Sequence, residues 1–231
     1  NNLNQPYLSL CVKSIIDKCG NDFHICLIDD DSFGNLIPDW MTNMSRIPEP
    51  ISSYMRNIGL CKLIYFYGGI NKESSLRLRT ELRKMELKHE VFSINNSCEA
   101  IPIKLFINSE GGEVACALSI VDFIKRSKVP IYTIIEGETA SAATLISVVG
   151  HKRYMTSNAH VLIHQIRGGI WGKMQEFEEE MKNMKTYSSK LIKIYKDHSN
   201  LEERKLDKIL KKDIVWNSAK CLKYGIVDEI I

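Results

Sequence analysis

Residues 131–150 read IYTIIEGETASAATLISVVG. An apolar, β-branched run ends at Gly137. A serine, Ser141, then opens a stretch of small residues that stops at Gly150. The first half predicts a buried strand and the second a short helix with a glycine stop. Ser141 has two readings at that junction. It is either a small residue filling a tight helix start or a nucleophile held at the top of a sheet.

Outward from this stretch, strands and helices alternate. KLIYFYGGI (62–70) is a β-rich run closed by a glycine pair, and ESSLRLRTELRKMEL (73–87) carries leucines at helical spacing. HEVFSINNSCEAI (89–101) is polar and reads as a loop. PIKLFIN (102–108) is a strand broken by SEGG, and EVACALSIVDFIKRS (113–127) a largely buried helix. HKRYM (151–155) and AHVLIHQ (159–165) are short strands. The glycine-rich RGGIWGKM (167–174) precedes a long helix with Met174, Phe177, Met181, Met184, Leu191 and Ile194 on one stripe. LEERKLDKILKK and AKCLKYG are further helices, and IVDEI is a closing strand. Strands alternating with helices predict an α/β fold with parallel pairing and right-handed crossovers.

Composition narrows the function. The 231 residues are 44% hydrophobic and 26% charged, ordinary for a chain with a proper core. A net charge of +3 with scattered lysines argues against nucleic acid. No apolar run is long enough to span a bilayer. The seven cysteines, Cys11, Cys19, Cys26, Cys61, Cys98, Cys116 and Cys221, form no CxxC pair. They predict a reducing compartment and argue against a zinc site; the expected setting is cytoplasmic, with no metal and no cofactor.

A serine attacks a carbonyl only when a base takes its proton and N–H groups hold the oxyanion. His164, at the end of HVLIH, is the best-placed base; His151 and His160 fall near turns. A carboxylate should fix the tautomer of that histidine. Asp213 lies at a junction before the apolar IVW run, and Asp228 near the last strand; either has an ordinary reading as a cap or a turn residue. NSEGGEV (108–114) supplies a strand-to-helix turn whose glycines let a substrate backbone approach, and the N–H of Ala142 is a natural second donor.

FINSEGGEV, EGETASAAT, HVLIHQIRGG and DIVWNSAKCLKYGIVDEI resemble the successive signature stretches of the ClpP family, the caseinolytic protease subunits. The resemblance runs from about Leu60 to Ile231. It implies a ClpP/crotonase-like spiral of β-β-α units with a protruding handle helix. Carried over residue by residue, it makes Ser141 the nucleophile, His164 the base, and Asp213 the orienting acid rather than Asp207 or Asp228. Gly112 and Ala142 become the oxyanion donors, and Gly111, Gly112, Gln165, Gly168 and Gly169 line a peptide groove. Gly168, Gly169 and Gly172, with the helix after them, match the handle that joins two rings. The implied activity is serine endopeptidase hydrolysis of unfolded polypeptides inside a homo-oligomer of stacked rings, fed by an AAA+ ATPase unfoldase. Glu110 and Ile166 stand where that family usually has proline, and Ala143-Thr144 replaces the common Gly-Ala. Two other readings keep the fold: an inactive scaffold subunit, and a crotonase-type acyl-CoA enzyme.

Residues 1–57 differ in pattern and are expected to form a small α/β appendage, with the protease-like domain over 58–231. FHICLIDDDSFGNLIPDW faintly resembles the opening of capsular-type glycosyltransferases, but NKESS follows the Gly-Gly-Ile stretch where that family has a metal-binding Asp pair. Asp29, Asp30 and Asp31 read as a solvated loop after a strand.

Overall fold

The structure, a computed structural model, describes residues 63–96 and 100–231. The expectations for residues 1–57, the Asp29–Asp31 cluster among them, lie outside the described residues. The chain divides into two compact units, and the larger, Leu63–Lys84 with Ile103–Ile231, holds every strand of the described residues.

Strand β1 (Ile64–Tyr67) leads through the glycine pair to helix α1 (Lys72–Asn96). Asn71 and Ser74 cap that helix reciprocally: Asn71 Oδ1 accepts from Ser74 N at 2.9 Å, and Ser74 Oγ accepts from Asn71 N at 3.0 Å. The helix overruns its expected end. HEVFSINN, read as loop, is helical to Asn96. Between Lys72 and Asn96 there is no glycine or proline to stop it, and Val and Ile are only mildly unfavourable in helices.

Next come β2 (Ile103–Ser109), α2 (Val114–Arg126), β3 (Ile131–Ala140) and α3 (Ala142–Val148). They are followed by β4 (Lys152–Met155), β5 (His160–Leu162), α4 (Met174–His198) and α5 (Glu203–Leu210). The chain closes with β6 (Val215–Asn217), α6 (Ser218–Lys223) and β7 (Glu229–Ile230). The sheet order is β1-β2-β3-β4-β7, all parallel as the alternation predicts. One pair departs from it: β5 is parallel to β3 but antiparallel to β6.

Strand β3 organises the unit. Its first part, Tyr132–Ile135, pairs with β4, and its last, Glu138–Ala140, pairs with β5. Between them the ladder to β2 is irregular, with Ile107 opposite Ile135 but Ser109 opposite Thr139. Gly137 permits this, at φ +71, and a Cβ there would stand 2.6 Å from Asn108 Nδ2. One strand thus serves two neighbours in succession and carries its carboxyl end out to Ser141.

The core lies between sheet and helices. Ile103, Leu105 and Ile107 alternate inward on β2, and Ala117, Ile120, Val121 and Ile124 form the buried stripe of α2 at helical spacing. Burying each large aliphatic side chain contributes about 1.5–3 kcal/mol. All of α3 is buried, which explains its run of small and aliphatic residues. Among the described residues no helix is long and apolar enough to cross a membrane.

Candidate active site

Ser141 sits at the turn from β3 into α3 with φ 54° and ψ −127°. Among the described residues it is the only non-glycine residue with positive φ. Such a conformation costs on the order of 1–3 kcal/mol and persists only when its surroundings hold it. Here they do. Ser141 N donates to Leu162 O at 2.8 Å, and Ser141 O accepts from Thr144 N at 3.1 Å. A serine at a helix N-terminus ordinarily caps the first turn with its hydroxyl. Ser141 makes no such bond, so its Oγ is not spent on the helix.

The glycine turn after β2 closes on this serine. Gly111 has φ +96°, and a Cβ on it would lie 2.7 Å from Ser141 Cβ, 2.7 Å from Ala140 O and 3.0 Å from Ala142 N. Only glycine fits there. Ile70 locks the turn from the other side: its N–H donates to Gly111 O at 2.7 Å and its carbonyl accepts from Glu113 N at 2.9 Å. The turn thus brings Gly111 against Ser141 and the N–H of Ala142, while the next residue, Gly112, packs on Ile70, where a Cβ would stand 2.2 Å from its carbonyl oxygen.

His164 follows from the pairing of β5. The strand ends at Leu162, two residues before the histidine rather than at it, and Leu162 O is the carbonyl that holds Ser141 N. Fully buried Ile163 anchors the step between them. The His164 side chain is 9% exposed. Burial, with the nearby Arg167 cation, holds its pKa below the ordinary histidine value, while Asp213 pulls the other way. The neutral ring is the form a general base needs.

Asp213 Oδ1 lies 3.5 Å from His164 Nδ1, and Nδ1 itself is buried without a hydrogen-bond partner. The carboxylate is instead taken by Arg167, whose Nη2 donates to Asp213 Oδ2. The apolar IVW run after Asp213 is not a buried segment that could hold the carboxylate rigidly. Only Trp216 is buried; Ile214 and Val215 are exposed, and Asp213 is 51% exposed. On β6, a strand at the end of its sheet path, alternate residues face water, and an apolar triplet does not reveal which. Asp228, the alternative acid, is bound to Arg153 through its guanidinium and backbone N–H.

The remaining groove expectations divide. Gln165 N–H donates to Leu210 O at 2.8 Å, so it is committed to α5. Gly168 and Gly169 lie in a stretch, residues 163–173, with no helix or strand, and Gly169 has open space around it. His151 and His160 stand exposed, and His151 Nδ1 accepts from Ile131 N. Two participants escaped the sequence. Arg167 looked like part of a flexible tract, and Thr144, noted only as a departure in type, turns out to bond Ser141 O through its side chain at 2.6 Å.

A family model described as Clp protease matches residues 63–231. The ATP-dependent Clp protease proteolytic subunit 2 of Treponema denticola is 32% identical over 169 residues, covering 72% of this chain and 80% of that protein. The ATP-dependent Clp protease proteolytic subunit of Streptococcus mutans is 37% identical over 133 residues, covering 56% and 68%. Among solved structures, a mutant ClpP1 from Listeria monocytogenes aligns with a TM-score of 0.65 at 28% identity, covering 78% of this chain and 95% of that one.

Proposed function

The chain belongs to the Clp protease family and is a serine protease, and from that premise we propose that Ser141, His164 and Asp213 form its catalytic triad. The observation that carries the proposal is the backbone of Ser141: a strained serine, clamped on both sides, with an uncommitted hydroxyl next to a glycine turn. Ser141 Oγ attacks the peptide carbonyl as His164 takes its proton. The N–H groups of Gly112 and Ala142 receive the oxyanion, and protonated His164 then donates to the leaving amine. Water repeats the sequence in reverse roles to release the acyl group. For His164 to stay in the right tautomer, Asp213 must turn from Arg167 to Nδ1. Such contacts are commonly long in an unliganded site and shorten on binding.

The substrates are unfolded polypeptides, cut inside a homo-oligomer of stacked rings in the cytoplasm. ATP dependence comes from a partner AAA+ unfoldase. The exposed apolar residues at and just before the start of α4 support assembly: Trp171 is 99% exposed, and Met174, Phe177 and Met181, at helical spacing on α4, are exposed as well. Ser141→Ala tests the triad. The variant should keep its fold and assembly and lose peptide hydrolysis by several orders of magnitude. Retained hydrolysis would assign the chemistry to another group.

A further inference from the structure

Tyr195 projects from the last turns of α4 and is 2% exposed. Its hydroxyl meets Thr144 Oγ1. Thr144 Oγ1 in turn donates to Ser141 O at 2.6 Å. A threonine hydroxyl has a single proton, and that proton is committed to Ser141 O. Tyr195 is therefore the donor in the first bond. Burial pushes the phenol well above the ordinary tyrosine range, against a smaller opposite pull from the Thr144 bond, so it keeps its proton at neutral pH. Three groups thus form a directed line from the long helix to the nucleophile's own carbonyl.

That line ends where control of the site is most sensitive. Ser141 holds an unfavourable φ, and rotation of its two flanking peptide planes would swing Oγ off its path. One plane is held through Leu162 O; the other is held through Thr144, by backbone and side chain together. We propose that Tyr195 and Thr144 are positioning residues for hydrolysis: their hydroxyl relay fixes the Ser141 carbonyl and so sets the aim of Oγ from α4. The proposal rests on Ser141 being the nucleophile. The relay also explains why threonine stands at 144 and why a large polar ring is buried on a helix whose other buried residue is Leu191. The Tyr195–Thr144 bond is buried, where neutral hydrogen bonds in series strengthen one another, and it feeds the part-buried bond to Ser141 O.

The test is kinetic, on the full chain, with kcat normalised to the fraction of Ser141 that a fluorophosphonate labels and with assembly matched to wild type by light scattering. Tyr195→Phe should lower kcat about three- to tenfold with KM within about twofold, the size expected for loss of one hydrogen bond that aims a reacting group. Thr144→Val should lose at least as much, and Thr144→Ser should recover most of it. Because the two residues act in series, Tyr195→Phe should add little in the Thr144→Val background. A Tyr195→Phe protein that melts earlier but keeps full kcat per labelled serine would reduce the relay to packing and overturn the proposal. Losses that simply multiply in the double variant would overturn it too. Failure of the underlying reading looks different: wild type itself would neither hydrolyse peptide nor take the label at Ser141.

Discussion

His164 stands between two opposite charges, and that balance makes a testable statement about pH. Burial first, then the Arg167 cation, lowers its pKa; Asp213 raises it. In the proposed triad His164 acts as a base only when neutral, so the acid limb of kcat/KM should fall below the ordinary histidine value of about 6.5. Arg167→Gln removes a cation and frees the Asp213 carboxylate. Both changes favour the protonated ring, so the limb should move to higher pH. A pH–rate profile of the two proteins checks this, and an unmoved limb would mean that Arg167 is not coupled to the base. The ion pair itself is exposed on both sides, 68% at Arg167 and 51% at Asp213. Breaking it therefore leaves the stability of the fold nearly unchanged. At this scale Ser141 and His164 stand out in the sequence because each closely follows an apolar strand, Ser141 directly after β3 and His164 two residues past β5. It could not carry the Arg167–Asp213 contact, which spans 46 positions and joins two exposed tracts with no pattern of their own.

Strand β3 is the element on which the site depends. Its two sets of partners require the chain to turn at Gly137 without leaving the sheet. Gly137→Ala would place a Cβ 2.6 Å from Asn108 Nδ2 and force an L residue to φ +71. The expected cost is about 1–2 kcal/mol from backbone strain alone, read as a lower urea midpoint. Asn108→Ala in the same chain should relieve the contact but not the strain, so stability should recover only in part. Full stability in the single variant would show that the strand has room to shift. Most elements were legible here because hydrophobic periodicity and glycine stops agree, as in IYTIIEG followed by SAATLISVVG. The failures have physical causes. Helix α1 continues to Asn96 because polarity marks a solvated face as readily as a loop. β6 pairs antiparallel with β5 over only three residues, too few for any period to show.

For the whole molecule, α4 changes character along its length. Leu191 and Tyr195 are buried against the chain's own core, while Met174, Phe177 and Met181 near its start are exposed. An apolar stripe left in water is satisfied by a repeated contact between copies, which a closed ring supplies. Met174→Asp combined with Met181→Asp should therefore yield smaller particles by light scattering and lower activity per chain, with the melting of the protomer little changed. An unaltered particle size would locate the assembly surface elsewhere. Central to every scale is one claim, that Ser141 is the nucleophile of a working triad. The most direct measurement is the site of covalent labelling by a fluorophosphonate, mapped by mass spectrometry of the digested protein. The account predicts one adduct per chain, on the peptide carrying Ser141, absent from Ser141→Ala and much slower to form in His164→Ala. An assembled protein that takes no label, or takes it on another residue, would contradict it.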